Sequence, residues 1–138
     1  MGQRWWRLRR FTPKSLVLVL LGAIFILIGV TSFFQAWTDT QQQVLFMLVE
    51  LAPRWAWGLV SALAGVASVV SSLWPTWNDS WGFAALGALA MWWACAYTAG
   101  LIVTGMPIAA SGMLTWLAMC TLLWAISRLQ DPVRVGDE

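Results

Sequence analysis

The chain has no histidine, two cysteines, one tyrosine and only 14 charged side chains, eight basic and six acidic, in 138 residues. Each shortage removes a class of function. Without histidine there is no imidazole for general acid–base work, for a Ser–His nucleophile or for a histidine-ligated metal. Two cysteines, Cys95 and Cys120, cannot build the disulfide framework of a small secreted domain. Charged residues are 10% of the chain, against about 25% in soluble domains. A soluble enzyme or nucleic-acid-binding domain would have too little polar surface. What the sequence holds instead is 60% hydrophobic residues and 12 tryptophans. This composition indicates a single integral membrane domain over 1–138, all-α and non-enzymatic, with no catalytic residue, cofactor or metal site.

The few charges are clustered. Arg4, Arg7, Arg9, Arg10 and Lys14 open the chain, and 24 uncharged residues follow from Ser15 to Thr38. Asp39, Glu50 and Arg54 mark a polar interval before a second uncharged run of 24, Trp55 to Asn78. After Asp79 a third run of 48 residues reaches Ser127, and Arg128, Asp131, Arg134, Asp137 and Glu138 end the chain. About 20 apolar residues at about 1.5 Å each cross the hydrocarbon core. The first two runs therefore hold one helix each, and the third holds two if a turn divides it. Thr104-Gly105-Met106-Pro107 supplies that turn. The spacing predicts four transmembrane helices near 15–36, 54–74, 80–103 and 108–128. These segments are apolar all round, unlike the alternating strands of a membrane barrel.

Four spans place both termini on one side. That side carries seven basic residues: Arg4, Arg7, Arg9, Arg10, Lys14, Arg128 and Arg134, while the other carries Arg54. The positive-inside rule then puts the basic segment 1–14 and the tail 129–138 in the cytoplasm, and the protein in the cytoplasmic (inner) membrane. The stretch after the basic start is longer than a signal-peptide core and lacks a small-x-small site, so helix 1 is read as retained. Trp5, Trp6, Trp37, Trp55, Trp57, Trp74, Trp77, Trp81 and Trp124 fall at predicted interfaces, where tryptophan prefers to sit. Trp92, Trp93 and Trp116 fall at mid-depth, as packing surfaces or as a flat aromatic face for a lipid tail, quinone or pigment ring.

Three segments are candidates for function. Residues 41–52 are too short to span and suit an interfacial helix, capped by Asp39 or Thr40 and followed by Pro53. It is either a connector or a contact surface for a partner or lipid. The second span carries a stripe of small residues, Gly58, Ser61, Ala62, Gly65, Ser68 and Ser72, the pattern that lets helices approach closely in lipid. Its neighbour belongs either to the same chain or to another. The third span has a looser version in Ala84, Gly87, Ala88, Ala96 and Gly100. Arg4, Arg7, Arg9, Arg10 and Lys14, mixed with tryptophan, suit orientation and anchoring to anionic lipid headgroups, with no specific nucleic acid. Inside the spans, away from Arg54 and Arg128 at their ends, the only ionisable groups are Cys95, Tyr97 and Cys120, and proton relays and ion-coupled carriers keep acids or bases there. The cysteines read as small apolar fillers.

Phe11-Thr12-Pro13-Lys14-Ser15-Leu16 after a basic start, Arg54-Trp55-Ala56-Trp57-Gly58-Leu59 with Ala64-Gly65-Val66, Trp81-Gly82-Phe83-Ala84-Ala85-Leu86, and Ser127-Arg128-Leu129-Gln130-Asp131-Pro132 together resemble small four-helix membrane proteins encoded by phages and prophages of actinobacteria, over nearly the whole chain. Such proteins are often encoded near tail or lysis genes, and some are described as holin-like. The resemblance implies a self-associating protein that permeabilises or opens the membrane, for lysis or genome passage, with copies meeting through small-residue faces such as that of the second span. Two other functions fit the same features. One is an accessory or structural subunit of a larger membrane complex. The other is a superinfection-exclusion protein that binds a host membrane protein through residues 38–54.

Overall fold

A computed structural model of the chain describes residues 12–74 and 79–129, and the regular structure within them is entirely helical. Four long helices, α1 (Pro13–Phe34), α4 (Arg54–Leu73), α5 (Asp79–Thr104) and α6 (Pro107–Arg128), are joined on one side by two short ones, α2 (Asp39–Val44) and α3 (Phe46–Leu51). All four long helices are long and apolar enough to cross a membrane. The 20 residues of α4 rise about 30 Å and the 26 of α5 about 39 Å. The observed bounds agree with the expected spans to within about two residues.

Local chemistry sets the ends. Thr12 caps α1, its hydroxyl accepting from the Ser15 amide at 3.2 Å, and Pro13 occupies the first turn, where a missing N–H is harmless. Between α5 and α6 the expected turn forms: Gly105 takes φ +64°, Met106 is extended and Pro107 opens α6. The connector departs from expectation in two ways. Its cap is Thr38, not Asp39 or Thr40. The Thr38 hydroxyl accepts from the Gln41 amide at 3.3 Å while Gln41 Oε1 accepts from the Thr38 amide at 3.1 Å, a reciprocal box that leaves Asp39 in the first turn. And 41–52 is two helices, not one. At Leu45 the Leu48 amide bonds back to the Leu45 carbonyl at 2.9 Å, while the Val44 carbonyl lies against the Cα side of Gly100. Seating that carbonyl on α5 interrupts the helix.

The long helices pack in chain order, α1 on α4, α4 on α5 and α5 on α6. Phe25 of α1 closes the set by meeting Trp116 of α6 edge-on, with ring centroids 5.9 Å apart. One core joins Leu18 and Phe25 to Phe83, Leu86, Leu89 and Leu123. A second, at the connector end, gathers Val44, Leu45 and Leu48 with Ala96 and Ala109. The surface is the reverse of a soluble protein's. Leu27 is 63% exposed, Leu63 58%, Ile102 78% and Leu114 62%, while glycine and serine fill the interior. So large an apolar exterior is stable only in lipid or against other protein. The chain is a multi-pass, all-α membrane protein.

Candidate functional site

The small-residue stripe of α4 meets α1 of the same chain. Gly58, Ser61, Gly65, Ser68 and Ser72 are buried and Ala62 is half-buried. Opposite them stand Gly22 and Gly29, which sequence reasoning did not single out. The helices are antiparallel and both glycine pairs are seven residues apart, so Gly22 falls against Gly65 and Gly29 against Gly58. A Cβ on Gly65 would lie 2.5 Å from the Gly22 carbonyl oxygen, and one on Gly29 2.5 Å from that of Gly58. The matched spacing on two apolar helices was the available signal. Ser68 ties the seam further, its hydroxyl donating to the Leu18 carbonyl at 3.0 Å. Ser71 and Ser72 donate within α4, to the Ser68 and Val69 carbonyls at 2.9 and 2.8 Å. Gly82 of α5 closes on the same region, against Ser71 Oγ and the Ser68 Cα.

The looser stripe of α5 divides. Ala96 and Gly100 are buried under the connector, whereas Ala84 and Ala88 are exposed and Gly87 has open space where a Cβ would stand. Two of the three mid-span tryptophans are packing groups. Trp93 and Trp116 stack at 5.8 Å against the first core, and Trp37 meets Trp93 at 6.4 Å. Trp92, 42% exposed, stacks on Trp57 at 5.8 Å, and the Trp57 indole N–H donates to the Leu48 carbonyl at 2.9 Å. Cys95 and Cys120 are both free thiols. No described residues form a group of three or more His, Cys, Asp or Glu that could hold a metal ion. Among the described residues, every buried side-chain nitrogen and oxygen has a hydrogen-bond partner.

Arg4, Arg7, Arg9 and Arg10, with Trp5, Trp6, Trp77 and Arg134, lie outside the described residues. Lys14 is described, and it lines one cleft of about 560 Å³ with Asp79 and Ser80 of α5 and Trp124, Ser127 and Arg128 of α6. The start of α1 and the end of α6 therefore emerge at the same end of the bundle, and Arg54 opens α4 at the other. Arg128 rests over the Trp124 ring, 5.6 Å from its centroid, a cation–π contact at the level where tryptophan meets headgroups.

Two surfaces remain to be placed. The connector buries Val44, Leu45 and Leu48 against its own chain and exposes Gln42, Gln43, Met47, Val49, Glu50 and Leu51. Helix α6 is the least covered span, with only Ala109 and Leu123 buried. Its inner side carries Ala109, Trp116, Cys120 and Leu123. Its outer side carries Ser111, Thr115, Ala118, Thr121 and Ala125 at three- and four-residue steps, with Leu114 and Leu122 in the same arc, all exposed. The hydroxyls of Ser111, Thr115 and Thr121 fold back onto α6 carbonyls at 2.8–2.9 Å. No known protein family, characterised protein or solved structure matches the chain.

Proposed function

We propose that this is a non-enzymatic membrane protein of the cytoplasmic membrane, with both termini cytoplasmic, that self-associates to open or permeabilise the bilayer. The observation that carries the reading is the outer face of α6. It turns three hydroxyls and two alanines, with Leu114 and Leu122 among them, away from its own bundle. Such a face favours helix–helix contact in lipid, where close approach and interhelical hydrogen bonds supply the attraction. The second-span stripe, the face first expected to join copies, is covered by α1, so association runs through α6 instead. The resemblance to holin-like phage and prophage proteins supports the same reading. Arg4, Arg7, Arg9, Arg10, Lys14 and Arg128 would hold the orientation against anionic headgroups.

A second reading has its own observation. The hydroxyls of α4 and α6 bond to carbonyls of their own bundle, which suits a dry accessory subunit that packs against other proteins. Controlled expression in a bacterial host separates the two. The first predicts abrupt uptake of a membrane-impermeant dye at a defined time, and its loss in Thr115→Leu/Ala118→Leu chains that still insert. Healthy cells full of inserted protein would overturn it, and co-purification with foreign subunits in fixed ratio would establish the second. Superinfection exclusion through 38–54 would instead require Gln42, Gln43, Met47 and Glu50 to be the residues whose change abolishes function.

A further inference from the structure

The cleft at the shared end of α1, α5 and α6 has the chemistry of a lipid site. Its mouth holds two cations on different helices, Lys14 in the first turn of α1 and Arg128 in the last turn of α6, with the Trp124 indole beside Arg128. From there the cleft runs along α5 to Met91, about 18 Å at 1.5 Å per residue. That is roughly one leaflet of a hydrocarbon core of about 30 Å. Its walls over this length are largely apolar, with Phe83, Ala88 and Leu123 among them. Gly87 stands in the wall with nothing within 4 Å of its Cβ position, so the groove has width where a chain would lie. One carboxylate, Asp79, shares the mouth; it is 7% exposed and already engaged. The accessible charge of the described lining is therefore cationic, at the end where the sequence places five further arginines beside Asp131, Asp137 and Glu138.

We propose that this cleft holds one anionic glycerophospholipid, its phosphate between Lys14 and Arg128 and one acyl chain in the groove past Gly87 to Met91. The proposal rests on the membrane-spanning reading but not on self-association. A chain that retains the lipid and stays monomeric would retire the proposed function and leave this site standing.

The test is native mass spectrometry of the full chain in mild detergent, titrated with phosphatidylglycerol and, separately, with phosphatidylcholine. The wild type is expected to keep one phosphatidylglycerol per protomer under conditions that strip phosphatidylcholine. Lys14→Gln and Arg128→Gln should each weaken retention roughly fivefold, and on the order of 25-fold together. Gly87→Leu changes no charge and its Cβ position is open, yet it fills the groove and should reduce retention at least as much. Equal retention of the two lipids would overturn the proposal. So would a Gly87→Leu chain that binds like wild type, since the anionic lipid would then be held by the basic segment alone. Displacement by millimolar inorganic phosphate with no dependence on acyl chains would also overturn it.

Discussion

Leucine at Gly29 would put the first side-chain atom where α4 already is. A Cβ there lies 2.5 Å from the Gly58 carbonyl oxygen, 2.7 Å from the Ala62 amide nitrogen and 2.8 Å from the Ala62 Cβ. Two of these atoms are backbone, so no rotamer relieves the overlap and the helices must part by about 1 Å. A gap of that size forfeits a quarter to a half of each atom pair's attraction, itself ~0.1–0.2 kcal/mol. Over on the order of 50 pairs along the seam the loss is about 2–4 kcal/mol, in line with overpacked interiors. The better helix propensity of leucine returns about 1 kcal/mol at most. The net expectation for Gly29→Leu, and for Gly65→Leu by the same geometry, is destabilisation by about 1–3 kcal/mol. Gly87→Leu is the control, because its Cβ position is open, and it should stay within about 0.5 kcal/mol of wild type. Reversible unfolding of the micelle-bound chain by sodium dodecyl sulfate, followed by tryptophan fluorescence and far-UV ellipticity, measures all three. If Gly29→Leu and Gly87→Leu unfold at the same detergent fraction, close glycine contact does not hold α1 to α4.

Two other substitutions probe separate contacts. Ser68→Ala removes the hydroxyl that donates to the Leu18 carbonyl at 3.0 Å, and should destabilise by about 0.6 kcal/mol, the average for such bonds in membranes; no change in the same unfolding assay would show that the bond contributes nothing. Gly100→Leu drives a side chain into the Val44 carbonyl and Cγ1, so hydrogen exchange should rise across residues 39–52 and stay unchanged in α1 and α4. A uniform rise over all helices would mean that the connector is not an independently docked element.

The four spans were legible in the sequence because lipid imposes a one-dimensional rule: about 20 apolar residues between charges or breakers. Lys14, Asp39, Arg54, Asp79 and Arg128 punctuate the chain, and Gly105 with Pro107 splits the long run. The cap is Thr38 rather than Asp39 or Thr40, and the sequence does not separate the three because each has a glutamine three residues on, Gln41, Gln42 and Gln43. The break at Leu45 was not legible at all, since it depends on a carbonyl of α2 meeting Gly100, more than fifty residues away.

The α4 stripe was visible, but its partner was not. A row of Gly, Ser and Ala says that something approaches closely, and the same row serves a neighbour in the chain or another copy. Only the tertiary structure decided for α1, by setting Gly22 and Gly29 in antiparallel register with Gly65 and Gly58. It likewise turned the hydroxyls of α6 outward and brought Lys14 and Arg128 into one cleft. Span number and length follow from the solvent that each residue must face, which sequence records residue by residue. Which face meets which helix follows from packing between distant segments, and that is fixed only when the helices come together.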